Sequence, residues 1–214
     1  MRYLTFFSFA ALGLMALAQT PGSLKPVDVN YMVRGYFHAS SQGPGYLEGY
    51  GGWGGSSNTP STFVPTSGHT AVEILVDTTS TVPLDSNYRG RSVVVRNNGP
   101  DTAFFPAQDS RLYMWTQALR TDSFADIEYL PSSWCGNSYH TLFLAPGEEW
   151  HFVMPAYEGR KPTRMRLVLE YREAFGSETE RTVHSHTFPG GVNKGQFTQK
   201  QGHQPVGLMD PYND

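Results

Sequence analysis

Two groups of residues in this chain have types and spacings that could do chemistry. The first lies in SSWCGNSYH, residues 132–140, where the single cysteine, Cys135, stands shortly before His140. The thiolate is the reactive form of cysteine, and a neighbouring histidine can stabilise it and serve as its base. His151 is a second imidazole that could reach the same thiol through space. Two other readings stay open: Cys135 as a small buried hydrophobe, or as half of an intermolecular bond. Gly136 and Asn137 form a good turn pair, which explains the loop without catalysis. The second group is TVHSHTF, with His184 and His186 two positions apart. In a strand both rings face the same side. That spacing can chelate a transition metal if His140, His151 or a carboxylate supplies a third ligand. Its alternative is a pair of solvated polar residues. No other cofactor is expected.

A different chemistry is available to aromatics. Residues 41–62, SQGPGYLEGYGGWGGSSNTPST, set Tyr46, Tyr50 and Trp53 among glycines. Glycine, serine and proline at this density predict a long loop. Its rings either fold back over a core edge or form a contact surface, where flat aromatics give large area at small entropic loss. Such rings also suit a sugar face. Trp134, beside Cys135 and His140, extends the ligand-contact candidates to the second loop.

Several catalytic signatures are missing from the sequence: the H-E-x-x-H zinc motif, the Gly-x-Ser-x-Gly elbow and the phosphate-binding glycine loop. The acids Asp77, Asp85, Asp101 and Asp109 fall near strand ends or turns, where carboxylates are usually structural. A glycosidase pair needs two facing carboxylates, which sequence cannot display.

Those residues must be positioned by a fold, and location constrains the fold. The first twenty residues, MRYLTFFSFAALGLMALAQT, carry one cation, Arg2, then an apolar run and a small-x-small site at Ala16 to Ala18. This predicts a secretory signal over 1–18, cleaved before Gln19, and a periplasmic or secreted protein. No later segment is long and apolar enough to span a bilayer as a helix. Lys and Arg total 16 against 19 Asp and Glu, a net charge of −3. That balance argues against nucleic-acid binding, which needs a clustered cationic surface. A single cysteine cannot form an internal disulfide, so stability must come from an apolar core.

The elements read as strands. VDVNYMVRGYFHAS alternates, with Val29, Tyr31, Val33 and Phe37 on one face and Asn30, Arg34 and His38 on the other. Val72, Ile74 and Val76 share a face in AVEILV. RSVVVRNNGPDTAFFPA reads as a hairpin with Val93 and Val95 inward. YHTLFLAPGEEWHFVM reads as a second hairpin, turning at Pro146 and Gly147 in type II geometry. The clearest strand is TRMRLVLEYR, where Met165, Leu167, Leu169 and Tyr171 oppose Arg164, Arg166, Glu170 and Arg172. DSRLYMWTQALRTD is ambiguous: Leu112, Trp115 and Leu119 fit a helix, but its Tyr, Trp and Thr content favours a strand. ADIEYL suits a short strand or one helical turn.

This count of strands predicts an all-β chain, an antiparallel β-sandwich over 19–188, with an irregular tail over 189–214. Residues 91–172 run from VVVRNNGPDTAFF through LAPGEEWHFVMPAY to an alternating strand. That outline resembles the immunoglobulin-like accessory domains of exported bacterial proteins, in which a strand ending Asn-x-Gly is followed by a Leu-x-Pro-Gly-Glu turn. The resemblance implies fold and carries no function. The expectation is a non-catalytic exported protein that binds a protein or glycan partner in the periplasm or at the cell surface. The alternatives are a carbohydrate-binding module built on the aromatic loop, or a metal protein or enzyme using His184 and His186 or Cys135.

Overall fold

The computed structural model describes residues 24–41, 55–65, 72–207 and 209–212. The leader at 1–18 and the aromatics Tyr46, Tyr50 and Trp53 lie outside these residues. The described strands are β1 (Val33–Arg34), β2 (Ser61–Thr62), β3 (Val72–Val76), β4 (Val82–Leu84), β5 (Tyr88–Asn97), β6 (Ala103–Gln108), β7 (Arg111–Leu112) and β8 (Met114–Arg120). They continue as β9 (Ser123–Asp126), β10 (Glu128–Tyr129), β11 (Tyr139–Leu144), β12 (Glu148–Pro155), β13 (Lys161–Tyr171), β14 (Arg181–His184) and β15 (Phe188–Val192). Two short 3-10 turns, Gly136–Ser138 and Lys194–Phe197, complete the order, and the described residues contain no α-helix. The segment with competing helix and strand spacing is therefore strand, as β7 and β8.

One sheet runs β2–β12–β5–β3, with β4 also beside β5. A second runs β14–β13–β8–β9, with β15 also on β13, and a third runs β11–β6–β7. Among the described strands every pairing is antiparallel except β1 with β10. The period-2 pattern decides which face is buried. Val72, Ile74 and Val76 of β3 are buried, as are Val93 and Val95 of β5 and Met165, Leu167 and Leu169 of β13. These faces join Phe105, Leu142, Leu144, Trp150 and Met154 in one core cluster. Trp150 packs edge-on against Phe105, with ring centroids 5.0 Å apart. Its indole N–H, which must find an acceptor when buried, donates to Ser40 O at 2.8 Å.

Neither expected hairpin forms. β5 pairs with β3, β4 and β12, whereas β6 pairs with β11 and β7. The turns NNGPD and APGEE both carry the chain from one sheet to another. Asn97 is the physical reason the two crossings lie side by side. It is fully buried and uses both amide hydrogens, on Asp101 O at 2.8 Å and Leu144 O at 3.0 Å. Its Oδ1 accepts from Gly99 N–H at 3.0 Å, and its backbone carbonyl accepts from Gly147 N–H at 3.0 Å. The second turn has its expected geometry. Gly147 takes φ 77°, the value a type II turn requires of its third residue.

Two other expectations change. The run 27–40 is not one strand. Only Val33 and Arg34 form a ladder there, and single bridges tie Val27 to Tyr157, Met32 to Lys200 and His38 to Arg111. Tyr31, expected inward, is exposed, while Phe37 is fully buried. The tail expected to be irregular from Pro189 begins instead as β15, paired to β13. Its glycines permit close approach. A Cβ at Gly190 would stand 2.5 Å from Met165 Sδ, and one at Gly191 would stand 2.4 Å from Gly159 O.

Candidate functional site

The loop at 132–140 is built by a serine and a tyrosine. Ser133 Oγ lies 2.9 Å from Ser138 Oγ and accepts from Cys135 N–H at 3.1 Å. The Tyr139 hydroxyl donates to Ser133 O at 2.8 Å. Ser133 and Ser138 are buried, so the loop turns around its own hydrogen bonds and leaves Trp134 outside. From below, Ser138 O accepts from Asp109 N–H at 2.8 Å. Asp109 and Ser110 form the two-residue turn between β6 and β7, with φ 49° and 63°, as a type I′ hairpin demands.

A chain segment from the far terminus covers this junction. Tyr212 bridges to Ser133, and Trp134 N–H donates to Pro211 O at 3.0 Å. The Trp134 indole N–H reaches Asp210 O at 3.2 Å. Two guanidinium groups stack on the Tyr212 ring, Arg34 at 4.5 Å and Arg111 at 5.2 Å from its centroid. Its hydroxyl donates to the Asp109 carboxylate. Burial and that bond push the Tyr212 phenol up to about 12. Asp210 is held below the usual carboxylate range by Val206 N–H and the His203 ring.

Three large side chains of the junction are exposed, two of them aromatic. Trp134 is 54% exposed, Tyr139 43% and Met209 67%. Beside them lies an open pocket of about 320 Å³, lined in part by Tyr113, Tyr139, His140, Arg172 and Glu180. Arg172 and Glu180 pair across it at 2.7 Å. Rings whose polar ends are already bonded lose little freedom when a ligand arrives.

Cys135 and His140 flank one 3-10 turn, and the other histidines singled out for reactive chemistry stand elsewhere in the fold. Cys135 is a free, half-buried thiol with no hydrogen bond at its sulfur among the described residues. His140 turns its Nδ1 toward Ser138 O at 3.1 Å. His151 contacts Glu149 at 3.0 Å on an exposed face. His140, His151 and His184 stand on β11, β12 and β14, which belong to three different sheets. The strand ends at His184, so His186 leaves the ladder and meets the Phe188 ring at 6.4 Å. Partial burial and Arg166 lower the His184 pKa. No group of three or more His, Cys, Asp or Glu side chains among the described residues could hold a metal ion.

Sequence reasoning named Trp134, Cys135 and His140 but missed Tyr139, Met209 and the 210–212 segment. Nothing in the spacing of the polar tail marks it as a partner of a loop far away in sequence. No family model, no curated protein and no solved structure matches this chain.

Proposed function

We propose that this chain is an exported, non-catalytic, immunoglobulin-like β-sandwich that binds a protein or glycan partner in the periplasm or at the cell surface. The sandwich reading rests on buried faces from separate antiparallel sheets meeting in one core, and on sheet-crossing turns at Asn97 and Gly147. Export rests on the leader at 1–18.

One observation carries the binding role: Trp134 and Tyr139 are exposed and yet pinned. An exposed tryptophan whose backbone and indole N–H groups are both bonded is a preorganised anchor, the kind of side chain that dominates recognition surfaces. The partner meets Trp134, Tyr139 and the pocket beside His140.

Sedimentation of the protein with purified cell envelopes of its source tests this reading. The exported chain begins at Gln19, and it cosediments. Trp134→Ser weakens cosedimentation by about tenfold or more while leaving the melting temperature within a few degrees. Equal binding by the variant, or an exported chain that keeps its leader, contradicts the proposal.

A further inference from the structure

We propose that the concavity framed by Asp28, Asn30, Arg160, Lys161, Asn193 and Lys194 binds an anionic ligand through a phosphate or sulfate group. This site shares no residue with the Trp134 surface and does not depend on it. Its cavity measures about 510 Å³, large enough for a small ligand with a polar body behind its charged group.

Register brings the cations together. Lys161 opens β13 and pairs with Val192 near the end of β15. Arg160 immediately precedes that pair, and Lys194 follows it in the 3-10 turn. All three are exposed, and none of their side chains has a hydrogen bond or ion pair among the described residues. Four arginines elsewhere pair with carboxylates: Arg89 with Glu158, Arg96 with Glu73, Arg172 with Glu180 and Arg181 with Glu173. Among the described residues that line it the one carboxylate is Asp28, and Asn193 Nδ2 already donates to it at 2.5 Å. Three cations facing one carboxylate in a concave wall leave a positive field, which an anion relieves.

The walls are fixed in advance. Asn193 Nδ2 also donates to Val29 O at 2.9 Å, and Asn193 Oδ1 accepts from Arg160 N–H at 3.1 Å. Gln196 closes a capping box on Asn193, and Gly195 N–H donates to Asn30 Oδ1 at 2.8 Å. A Cβ at Gly195 would stand 2.0 Å from Asn30 O, so only glycine lets the turn approach the 27–40 run this closely. A tetrahedral anion presents enough oxygens for three cations at once, whereas a carboxylate has only two. Lysine binds such groups as a point charge and arginine as a planar fork.

Calorimetric titration of the mature chain with inorganic phosphate, inorganic sulfate and a heparin-derived hexasaccharide tests the site. At least one probe binds at physiological ionic strength. Phosphate or sulfate binding identifies a free-anion site, and binding of the hexasaccharide alone identifies a sulfated glycan. Arg160→Gln with Lys161→Gln and Lys194→Gln weakens that binding by about tenfold or more. Arg181→Gln, on another strand, leaves it unchanged. Binding by no probe, an unaltered triple variant, or equal losses in the triple and Arg181 variants would overturn the proposal.

Discussion

Glu128→Ala lowers the unfolding free energy by about 3 kcal/mol or more, because three donors, two of them in buried hydrogen bonds, lose one acceptor. Glu128 is 1% exposed. Its Oε1 accepts from Tyr36 Oη at 2.8 Å and Tyr157 Oη at 2.7 Å, and its Oε2 from Thr116 N–H at 2.7 Å. These donors come from the 27–40 run, the residues after β12, and β8. One carboxyl therefore ties three segments, and β10, which carries it, pairs with β1.

The effect depends on pH with a defined sign. Burial raises the Glu128 pKa above the ordinary carboxyl value, with the Tyr157, Tyr36 and Thr116 hydrogen bonds pulling the other way. A raised folded pKa means that the folded state holds the proton more tightly than the unfolded chain. Its contribution is fully present below the ordinary carboxyl pKa and is lost as pH rises through the folded value. The gap between wild type and Glu128→Ala is therefore widest in acid and narrows toward neutrality. Denaturant unfolding at several pH values reads this directly. A gap that widens with pH would show that the hydrogen bonds outweigh burial.

Asn97→Ala has the next largest expected effect, about 3 kcal/mol, or roughly 6–12 °C in melting temperature for a domain of this size. Three side-chain hydrogen bonds disappear; the Leu144 carbonyl and the Gly99 N–H lose a partner away from water, and the Asp101 carbonyl loses one in a part-buried position. Asn97→Asp is at least as damaging, since it turns an oxygen toward those two carbonyls. A melting temperature within two degrees of wild type in both variants would mean that the sheet crossings do not depend on this residue.

Much of the fold was legible because alternation is local. The Met165, Leu167, Leu169 face of β13 and the Val72, Ile74, Val76 face of β3 follow from period alone. Strand partners were not legible. Asn-Asn-Gly-Pro-Asp and Ala-Pro-Gly-Glu-Glu are good turns, but a turn sequence does not say whether its strands stay in one sheet. The decision lies in Asn97 reaching Leu144, 47 positions away. β15 was hidden because Pro189, Gly190 and Gly191 read as loop, when the glycines serve close packing against Met165 and Gly159. Glu128 stood in view as a charged residue between Ile127 and Tyr129, but its partners Tyr36 and Tyr157 are distant in sequence. The candidate site was half legible: the loop was found from its composition, and the covering segment with Tyr212 required the fold.

The proposed binding role places Trp134 against a partner. A photo-reactive phenylalanine analogue at position 134 tests it in the cells that make the protein. Irradiation yields one discrete adduct, protein by gel mass or glycan by carbohydrate stain, and the same group at exposed Tyr88 does not yield it. No adduct from position 134, or the same adducts from both positions, would contradict a partner at Trp134.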